Sequence, residues 1–314
     1  MTITVIGHFT IDELHSLSDP GTEGTPLETT GGIFYSLATL AALMSKNDVI
    51  HPVFGVGEKE YDSFIKSLEE FPNINSEGIF RLKGESNRVK VFLGSGQEPR
   101  IECSKRIAEP IPFSKIKPYL DADGILINMV SGSDLTLDTL DTIRMSVRDN
   151  RTPIHFDFHS LTLGIDKESR RFRRPLTEWR RWCFMVNSIQ LSEEEALGLT
   201  AERFDEATLV NHLMPLMVNA LAITRGNRGA SIIVQKNKKL TRHDVAGFTQ
   251  APAVDTTGCG DVFGATFLYA SLKEKDFVRA AEVANQAGAI KATFTGTDGL
   301  RSLSTRMKES LPAA

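Results

Sequence analysis

Short apolar runs alternate with helical segments from one end of the chain to the other, and this rhythm restricts the fold more than any other feature. Each run is short and apolar, and several end at glycine, which is typical of a buried strand. Predicted strands cover residues 3–7, 51–57, 124–130, 152–158, 183–189, 220–226 and 230–236. Predicted helices cover residues 33–44, 61–71, 135–147, 192–199 and 277–294. Strands that are separated by helices pair in parallel, so we expect an α/β protein built around a largely parallel sheet.

One segment breaks this rhythm. Residues 79–107 show short alternating strands interrupted by glycine-rich turns, as in an antiparallel sheet. We expect this insertion to cover one end of the protein. Because no repeat, linker or low-complexity tract divides the 314 residues, the sequence predicts a single domain over 1–314.

Composition and charge argue against several functional classes. The 36 Lys and Arg residues nearly balance the 40 Asp and Glu residues, for a net charge of −4, which argues against a general nucleic-acid-binding protein. No apolar run reaches the roughly 18 residues of a membrane span, and the N-terminus lacks the pattern of a signal peptide. Cys103, Cys183 and Cys259 are too widely spaced for a disulfide framework or a zinc site, so a cytoplasmic location is expected.

The segment with the most chemical content is 255–272, DTTGCGDVFGATFLYASL. Gly258 and Gly260 open a predicted helix that is apolar on almost every side, with Asp261 as the strongly polar residue of its first turns. Glycines let backbone N–H groups face outward, and such groups at the positive end of a helix bind phosphate. A carboxylate beside them can accept a proton from an attacking hydroxyl. Spacing alone leaves both phosphate chemistry and a plain capped core helix open.

Other nucleotide and hydrolase motifs are missing from the sequence. It has no G-x-x-x-x-G-K-[ST] run and no G-x-S-x-G elbow, which argues against a Walker-type site and against an α/β-hydrolase. The spacing of Gly258, Gly260 and Gly264 has one residue too many for a G-x-G-x-x-G dinucleotide motif.

These residues resemble the ribokinase/PfkB family of carbohydrate and nucleoside kinases. The run 255–261 (DTTGCGD) fits the C-terminal signature of that family at every position, and 224–229 (TRGNRG) is similar to its strand end and loop at the nucleotide. The resemblance implies a three-layer α/β/α fold with a mostly parallel central sheet and a small β lid, built from about residues 11–30 and 79–107. It also implies transfer of a phosphoryl group from ATP, with Mg²⁺, to a hydroxyl of a small sugar, polyol or nucleoside.

The resemblance assigns roles to individual residues as well. Asp261 is the expected general base, and the expected anion hole consists of Gly258, Cys259 and Gly260. Expected acceptor contacts are Asp12, Gly31, Gly32 and Ser36. Expected nucleotide contacts are Thr224, Gly226, Gly229, Thr257 and Asn285. Glu195 is expected to organise Mg²⁺ through water, and Asp255 is a candidate ligand for a monovalent cation such as K⁺. A homodimer formed through the lid is a further expectation.

Two positions depart from the family pattern. Ser36 stands where the family usually has Asn, at a position expected to contact a sugar acceptor. Ser192 replaces the Asn of Asn-x-x-Glu, a motif expected to lie near the metal. No extra basic pair is evident at the substrate end, which favours an unphosphorylated acceptor. Two alternatives stay open: a non-catalytic small-molecule sensor, against which the intact 255–261 run argues, and a hydroxymethylpyrimidine-type vitamin kinase, against which the lid and Asp12 argue.

Two further patterns have competing interpretations. His155, Asp157 and His159 alternate along one strand, a pattern that suits a metal site, but no fourth ligand stands out and a polar strand end explains them equally well. Residues 167–182 hold six arginines interleaved with aromatic residues. Because glutamates within this segment partly neutralise it, a solvated helix face with its tryptophans packed inward is favoured over a nucleic-acid site.

Overall fold

The computed structural model describes residues 1–16, 26–93, 101–237, 239–248 and 251–310. Within these residues the strands are β1 (Thr2–Ile6), β2 (Phe9–Ser16), β3 (Leu27–Gly32), β4 (Val49–Gly57), β5 (Ile79–Leu82), β6 (Asn87–Leu93), β7 (Ile101–Arg106), β8 (Gly124–Asn128), β9 (Ile154–Asp157), β10 (Leu163–Ile165), β11 (Arg171–Arg173), β12 (Ser188–Ser192), β13 (Ala220–Thr224), β14 (Ala230–Lys236) and β15 (Lys239–Val245). The helices are α1 (Ile33–Leu43), α2 (Glu58–Ser67), α3 (Phe113–Ile116), α4 (Leu137–Val147), α5 (Trp179–Phe184), α6 (Glu193–Gly198), α7 (Glu206–Leu213), α8 (Cys259–Glu274), α9 (Phe277–Lys291) and α10 (Leu303–Glu309). None of these described helices is long and apolar enough to cross a membrane.

The central sheet has the strand order β15-β14-β13-β12-β9-β8-β1-β4-β5. The strands from β13 to β5 pair in parallel, and among the described strands of this sheet only β14 runs in the opposite direction. Strands β8 and β9 are buried along their whole length, as expected of parallel strands that are covered on both faces. The predicted α/β fold with a mostly parallel sheet is confirmed.

The chain order reverses at β1, which lies between β4 and β8. Because parallel crossovers are right-handed, connections that leave β1 in opposite directions place their helices on opposite faces of the sheet. On one face α1 packs against α8, α8 against α9 and α9 against α10; on the other, α4 packs against α3 and α5, and α6 against α7. The result is three layers, with a crevice at the carboxyl ends of the strands beside the reversal, where ligands bind in sheets of this kind.

A separate four-stranded sheet, of order β3-β2-β6-β7, forms the lid. Both predicted lid segments, 11–30 and 79–107, contribute to it, although residues 17–25 and 94–100 lie outside the described residues. The prediction is wrong for Ile79–Leu82, which pairs with β4 at the edge of the central sheet. An edge strand has one exposed face and therefore alternates as a lid strand does, so the pattern cannot separate the two.

The predicted strand at 183–189 is also misplaced. Cys183 belongs to α5, and β12 begins only at Ser188. Trp179, Trp182 and Cys183 are buried together along α5. The apolar run at 183–184 is therefore the end of a helix and not the start of a strand. A short apolar run is compatible with either element, and here tertiary packing decides.

Candidate active site

Helix α8 begins in the crevice at the carboxyl ends of the parallel strands. Its N-cap, Gly258, has φ +79°, a backbone conformation that residues with a Cβ rarely adopt. A Cβ at this position would lie 2.3 Å from the ring of Tyr35, so only glycine fits. Cys259 and Gly260 line a cavity at the same point. The positive end of α8, which favours anions, therefore faces that cavity.

Asp261 lies in the first turn of α8 and is 7% exposed. Its Oδ1 accepts a 2.6 Å hydrogen bond from Asn128 Nδ2 at the end of β8. Ser36 of α1 donates to the carbonyl oxygen of Asp261 at 3.3 Å. Gln190 of β12 donates to the carbonyl oxygen of Gly260 at 2.9 Å. Three neighbouring elements thus fix the start of α8, and Asn128 orients the carboxylate.

The Asp261 side chain borders a cavity beneath the lid, which we call the acceptor cavity. It measures about 50 Å³, room for only a few water molecules. Asp12 of β2 borders the same cavity, and its Oδ1 accepts a 2.7 Å hydrogen bond from Thr10 Oγ1. The structure therefore brings the predicted base and the predicted acceptor contact to one small volume.

The other predicted acceptor residues have different positions. Gly32, with φ +60°, borders the acceptor cavity. Gly31 is not among the described residues that border it, but a Cβ there would lie 2.1 Å from Asp12 Oδ2, so glycine leaves the space that this carboxylate occupies. Ser36 is not among the bordering residues either, because its hydroxyl is directed at the Asp261 carbonyl oxygen.

Two basic residues that the sequence analysis does not place here, His159 and Arg171, also border the acceptor cavity. The Arg171 side chain is only 7% exposed. It donates to Glu102 Oε2 at 2.8 Å, to Ser104 Oγ at 2.8 Å and to Ser160 Oγ at 3.1 Å. Glu102 and Ser104 belong to lid strand β7, so one guanidinium joins the lid to the wall of the cavity below it.

A second cavity, of about 420 Å³, lies at the N-terminus of α8, and we call it the donor cavity. Four of the predicted nucleotide contacts line it: Thr224, Gly226, Gly229 and Asn285. Its apolar lining consists of Ala251, Pro252, Ala253, Phe263, Ala289 and Ala292, with Phe248 beside them. The fifth predicted contact, Thr257, borders the acceptor cavity, and its neighbour Thr256 lines the donor cavity in its place.

A group of carboxylates lies near the ends of β9 and β12. Burial raises the pKa of Asp157 well above its ordinary value, and the negative charges of Glu195 and Asp261 raise it further. Glu195 Oε2 accepts a 2.8 Å hydrogen bond from the N–H of Ser192 in a capping box, and its Oε1 accepts from Arg173 at 3.2 Å. Glu195, the residue predicted to organise a metal, therefore lies close enough to Asp157 and Asp261 for the carboxylates to repel one another.

The predicted cation ligand, Asp255, is 4% exposed and already surrounded by donors. Its Oδ1 accepts from the N–H of Thr257 at 2.8 Å, and its Oδ2 accepts from the N–H of Gly296 at 3.4 Å. The ammonium of Lys291 lies 3.6 Å from the same Oδ2 and donates to the Asp255 carbonyl oxygen at 3.3 Å. A monovalent cation at Asp255 would have to displace this ammonium, so the residues present do not fit a bound K⁺.

The alternating residues His155, Asp157 and His159 have different surroundings in the structure. Among the described residues, no group of three or more His, Cys, Asp or Glu side chains is arranged to hold a metal ion. His155 is buried, its Nδ1 lies 2.9 Å from Ser188 Oγ, and burial lowers its pKa to about 4. The neutral imidazole is part of the core under α8, as the interpretation of a polar strand end predicts.

The arginine-rich segment 167–182 forms ion pairs near the candidate site and contributes buried tryptophans to the core. Arg171 and Arg173 lie on β11 and not on the predicted helix face, and they pair with Glu102 and Glu195. The two tryptophans pack inward as predicted, with exposures of 3% and 6%.

Two residues that hold the site escape the sequence analysis, Asn128 and Gln190. Asn128 is the last residue of β8, and Gln190 is the middle residue of the five-residue strand β12. The rule that ligands bind at the carboxyl ends of parallel strands is the signal that could have found Asn128. Gln190, in the middle of its strand, has no such signal.

Comparison with known proteins identifies the fold. Residues 171–303 match the family described as pfkB family carbohydrate kinase. A search of curated protein sequences gives no match. Among solved structures, the sulfate complex of a pyrophosphate-dependent kinase in the ribokinase family is 16% identical, with a TM-score of 0.75 over 95% of this chain and 99% of that one. Ribokinase from Thermotoga maritima is 18% identical, with a TM-score of 0.75 over 98% and 99% of the two chains. Ribokinase from Arabidopsis thaliana, complexed with ribose and ATP, is 17% identical, with a TM-score of 0.73 over 98% of each chain.

At identities this low the comparison shows only the fold, and the TM-scores of 0.73 to 0.75 establish it. The nearly complete coverage in both directions shows that the likeness includes the lid as well as the central sheet. The predicted resemblance and the predicted fold class are both confirmed. The chain has the ribokinase-like fold and, over residues 171–303, matches the pfkB family of carbohydrate kinases.

Proposed function

We propose that this chain is an ATP-dependent kinase that phosphorylates a hydroxyl group of a small sugar, polyol or nucleoside. The observation that carries the proposal is the place of Asp261. Asp261 borders the acceptor cavity, which Asp12 also lines, while the adjacent Gly260 borders the donor cavity. A carboxylate between an acceptor pocket and an anion-binding helix end is placed to accept a proton as the hydroxyl attacks phosphorus.

In the proposed reaction the acceptor hydroxyl gives its proton to Asp261, its oxygen bonds to the γ-phosphorus of ATP, and the bond from that phosphorus to ADP breaks. The hydrogen bond from Asn128 keeps the carboxylate in one orientation. The N-terminus of α8 stabilises the negative charge of the transferred group. Because Ser36 and Gln190 hold that helix end through its carbonyl oxygens, the donors are in place before the reaction.

The lining of the donor cavity favours a nucleotide over pyrophosphate as the phosphoryl donor. Besides the helix end, the cavity has apolar surface from Phe263, Ala289 and Ala292. Pyrophosphate has no apolar group that could pack against this surface. A neighbouring cavity of about 440 Å³ shares Phe248 and Asn285 with it and extends the available space. An adenosine group requires both the room and the apolar surface.

Asp157 and Glu195 are the residues that would hold Mg²⁺, through water molecules. The raised pKa of Asp157, caused by burial and then by the charges of Glu195 and Asp261, is the sign of a buried acidic site without enough positive charge. When bound, Mg²⁺ supplies that charge and neutralises the donor phosphates. Arg173 and the capping box fix the orientation of the Glu195 carboxylate.

The charges around the acceptor cavity favour an uncharged acceptor. The carboxylates of Asp12 and Asp261 accept hydrogen bonds from hydroxyl groups well, but they repel a phosphate or carboxylate on the acceptor. Arg171, which could offset that repulsion, is already paired with Glu102 at 2.8 Å. A neutral polyhydroxy compound suits this set of side chains best.

A product assay tests the proposal. The protein is incubated with Mg²⁺ and either ATP or pyrophosphate, against a panel of sugars, polyols, nucleosides and sugar phosphates. Release of ADP or phosphate is followed, and phosphorylated products are identified by mass spectrometry. We expect ADP release that depends on a neutral polyhydroxy acceptor. Ligand binding without any product would identify a sensor, and turnover with pyrophosphate alone would contradict the donor assignment.

A further inference from the structure

Lys291, the last residue of α9, has a side chain with no exposed surface. A buried ammonium is stable only among oxygen partners and other groups of negative potential. Its Nζ donates to the carbonyl oxygens of Phe294 at 3.0 Å and Asp255 at 3.3 Å, and it lies 3.6 Å from Asp255 Oδ2. It also lies 5.6 Å from the ring centroid of Tyr35 and 5.1 Å from that of Phe294, within the range of cation–π attraction.

These surroundings have the chemistry of a monovalent-cation site. Backbone carbonyl oxygens and one carboxylate surround a single positive charge. The side chain that carries the charge is part of the protein, so it cannot dissociate. Asp255, the residue that the family resemblance suggests as a K⁺ ligand, is the carboxylate that faces this ammonium.

The ammonium also lies beneath the loop that leads into α8. Asp255 accepts the N–H of Thr257 at 2.8 Å, which fixes the first half of that loop. Tyr35 fills the space beside Gly258, where a Cβ would lie 2.3 Å from its ring. Lys291 therefore interacts with both residues that support the loop 255–258, Asp255 and Tyr35. This loop leads into the helix end proposed to bind the phosphoryl group.

We propose that the Lys291 ammonium takes the place of a monovalent cation beneath the loop 255–258, so that phosphoryl transfer by this chain does not depend on K⁺. The kinetic part of this inference rests on the proposed kinase function. Lys291 acts as a positioning residue: it balances the buried Asp255 carboxylate and holds the loop, and it does not touch the reacting atoms.

The first experiment uses the unchanged protein in KCl, NaCl or choline chloride at equal ionic strength. We expect the same Tm in all three salts and turnover rates that agree within about twofold. A cation that has no binding site on the folded protein cannot stabilise it. A K⁺-specific rise in Tm, or activation by K⁺ of about tenfold, would overturn the proposal.

The second experiment changes the lysine itself. Lys291→Met removes the charge but keeps most of the volume, and we expect a fall in Tm of roughly 5–15 °C in every salt because a buried carboxylate loses its partner. Lys291→Ala leaves room for an ion, so KCl but not choline chloride should restore part of its Tm. Arg279→Ala, on the exposed side of the same helix, is the matched control and should behave as the unchanged protein.

Equal stability of Lys291→Met and the Arg279→Ala control would contradict the proposal, as would the same Tm for Lys291→Ala in KCl and in choline chloride. Should both single variants fail to fold, Lys291→Met combined with Asp255→Asn removes both charges and should recover folding. The Tm measurements need no turnover. If no acceptor is ever phosphorylated, the kinase proposal fails while these measurements still decide the role of Lys291.

Discussion

The two walls of the acceptor cavity are built in different ways. The wall formed by α8 is a buried helix end, held by Asn128, Ser36 and Gln190 and supported from below by Lys291. The wall formed by the lid belongs to a small sheet that also carries charged groups away from the cavity and partly in solvent: Glu13 is 7% exposed, and its partners Arg88 and Lys105 are 22% and 45% exposed. The contrast suggests a division of labour, with chemistry on the rigid wall and acceptor selection on the lid.

The position of the acceptor cavity supports this division. The cavity, of about 50 Å³, lies between lid residues such as Asp12 and the start of α8, so we expect the lid to move away from α8 when an acceptor binds. The Arg171–Glu102 pair and the hydrogen bond from Arg171 to Ser104 join lid strand β7 to β11 and must rearrange for that motion. Changes that disturb the backbone of the α8 wall should therefore lower stability and kcat together, and loss of the Asp261 carboxylate should lower kcat alone. Changes in the lid should act mainly on the KM of the acceptor.

Of the changes that test the contrast between the two walls through stability, Gly258→Ala is expected to have the largest effect. A Cβ at φ +79° costs about 1–2 kcal/mol, and overpacking against Tyr35 adds about 1–3 kcal/mol, so both stability and kcat should fall. Gly198→Ala is the matched control, because a Cβ there meets nothing within 4 Å and α6 should gain slightly in stability. Thermal unfolding and turnover are measured side by side. A Gly258→Ala protein as stable and active as the control would remove the argument that the helix end is rigid.

The next effect concerns pH and the core under α8. Burial lowers the pKa of His155 to about 4 from its ordinary value of 6.5, so the unfolded chain takes up a proton at higher pH than the folded one. The stability that this group contributes is complete above pH 6.5 and is lost as the pH falls towards 4, by about 3 kcal/mol in all.

Denaturant unfolding between pH 7 and pH 4 measures this loss. His155→Asn should be less stable at pH 7 but should show a shallower decline towards acid pH. The exposed His212 provides the control, since His212→Asn should leave the slope unchanged. Parallel slopes for the unchanged protein and His155→Asn would contradict the assignment of a neutral buried imidazole.

On the lid, Asp12→Ala tests acceptor binding. Loss of a charge-assisted hydrogen bond from an acceptor hydroxyl costs about 1.5–3 kcal/mol, so the KM of the acceptor should rise roughly 10- to 150-fold while the KM of ATP changes little. Glu28→Ala, an exposed change on the neighbouring lid strand β3, is the control. An unchanged acceptor KM would remove Asp12 from the site.

The smallest effect is expected from Arg171→Met, which breaks the connection between the lid and the wall below. We expect a rise in the acceptor KM of about tenfold, with kcat for saturating acceptor largely kept, because closure becomes less favourable. Arg174→Met removes an exposed arginine of the same segment and should have no such effect. A fall in kcat with an unchanged KM would place Arg171 in the chemistry and not in the lid.

The sequence predicts the two walls unequally well. The start of α8 itself is predicted because glycines at a helix start, a first-turn carboxylate and an apolar helix are all local features. The lid is predicted only in outline. Alternation shows that a strand has one exposed face but not which sheet it joins, and so β5 is assigned to the lid although it pairs with β4.

Long-range partners are the part that sequence reasoning misses. The hydrogen bond from Asn128 to Asp261 joins residues 133 positions apart, and the one from Arg171 to Glu102 joins residues 69 apart. Lys291 has a local signal that could have been used: it continues the stripe of buried residues Ala280, Ala284 and Ala287 on α9. A lysine on such a stripe indicates a buried partner, although the pattern does not show that the partner is Asp255.

The turnover of Asp261→Asn tests the central claim most directly, because this change keeps the shape of the side chain and its place in the first turn of α8 but removes its ability to take a proton. We predict a fall in kcat of roughly 10²- to 10⁴-fold, with ATP affinity and Tm close to those of the unchanged protein. Asp276→Asn, which alters the N-cap of α9 outside the site, is the control for a simple loss of helix capping. Retained turnover together with a loss of stability would show that Asp261 only caps its helix, and would contradict the proposed kinase mechanism.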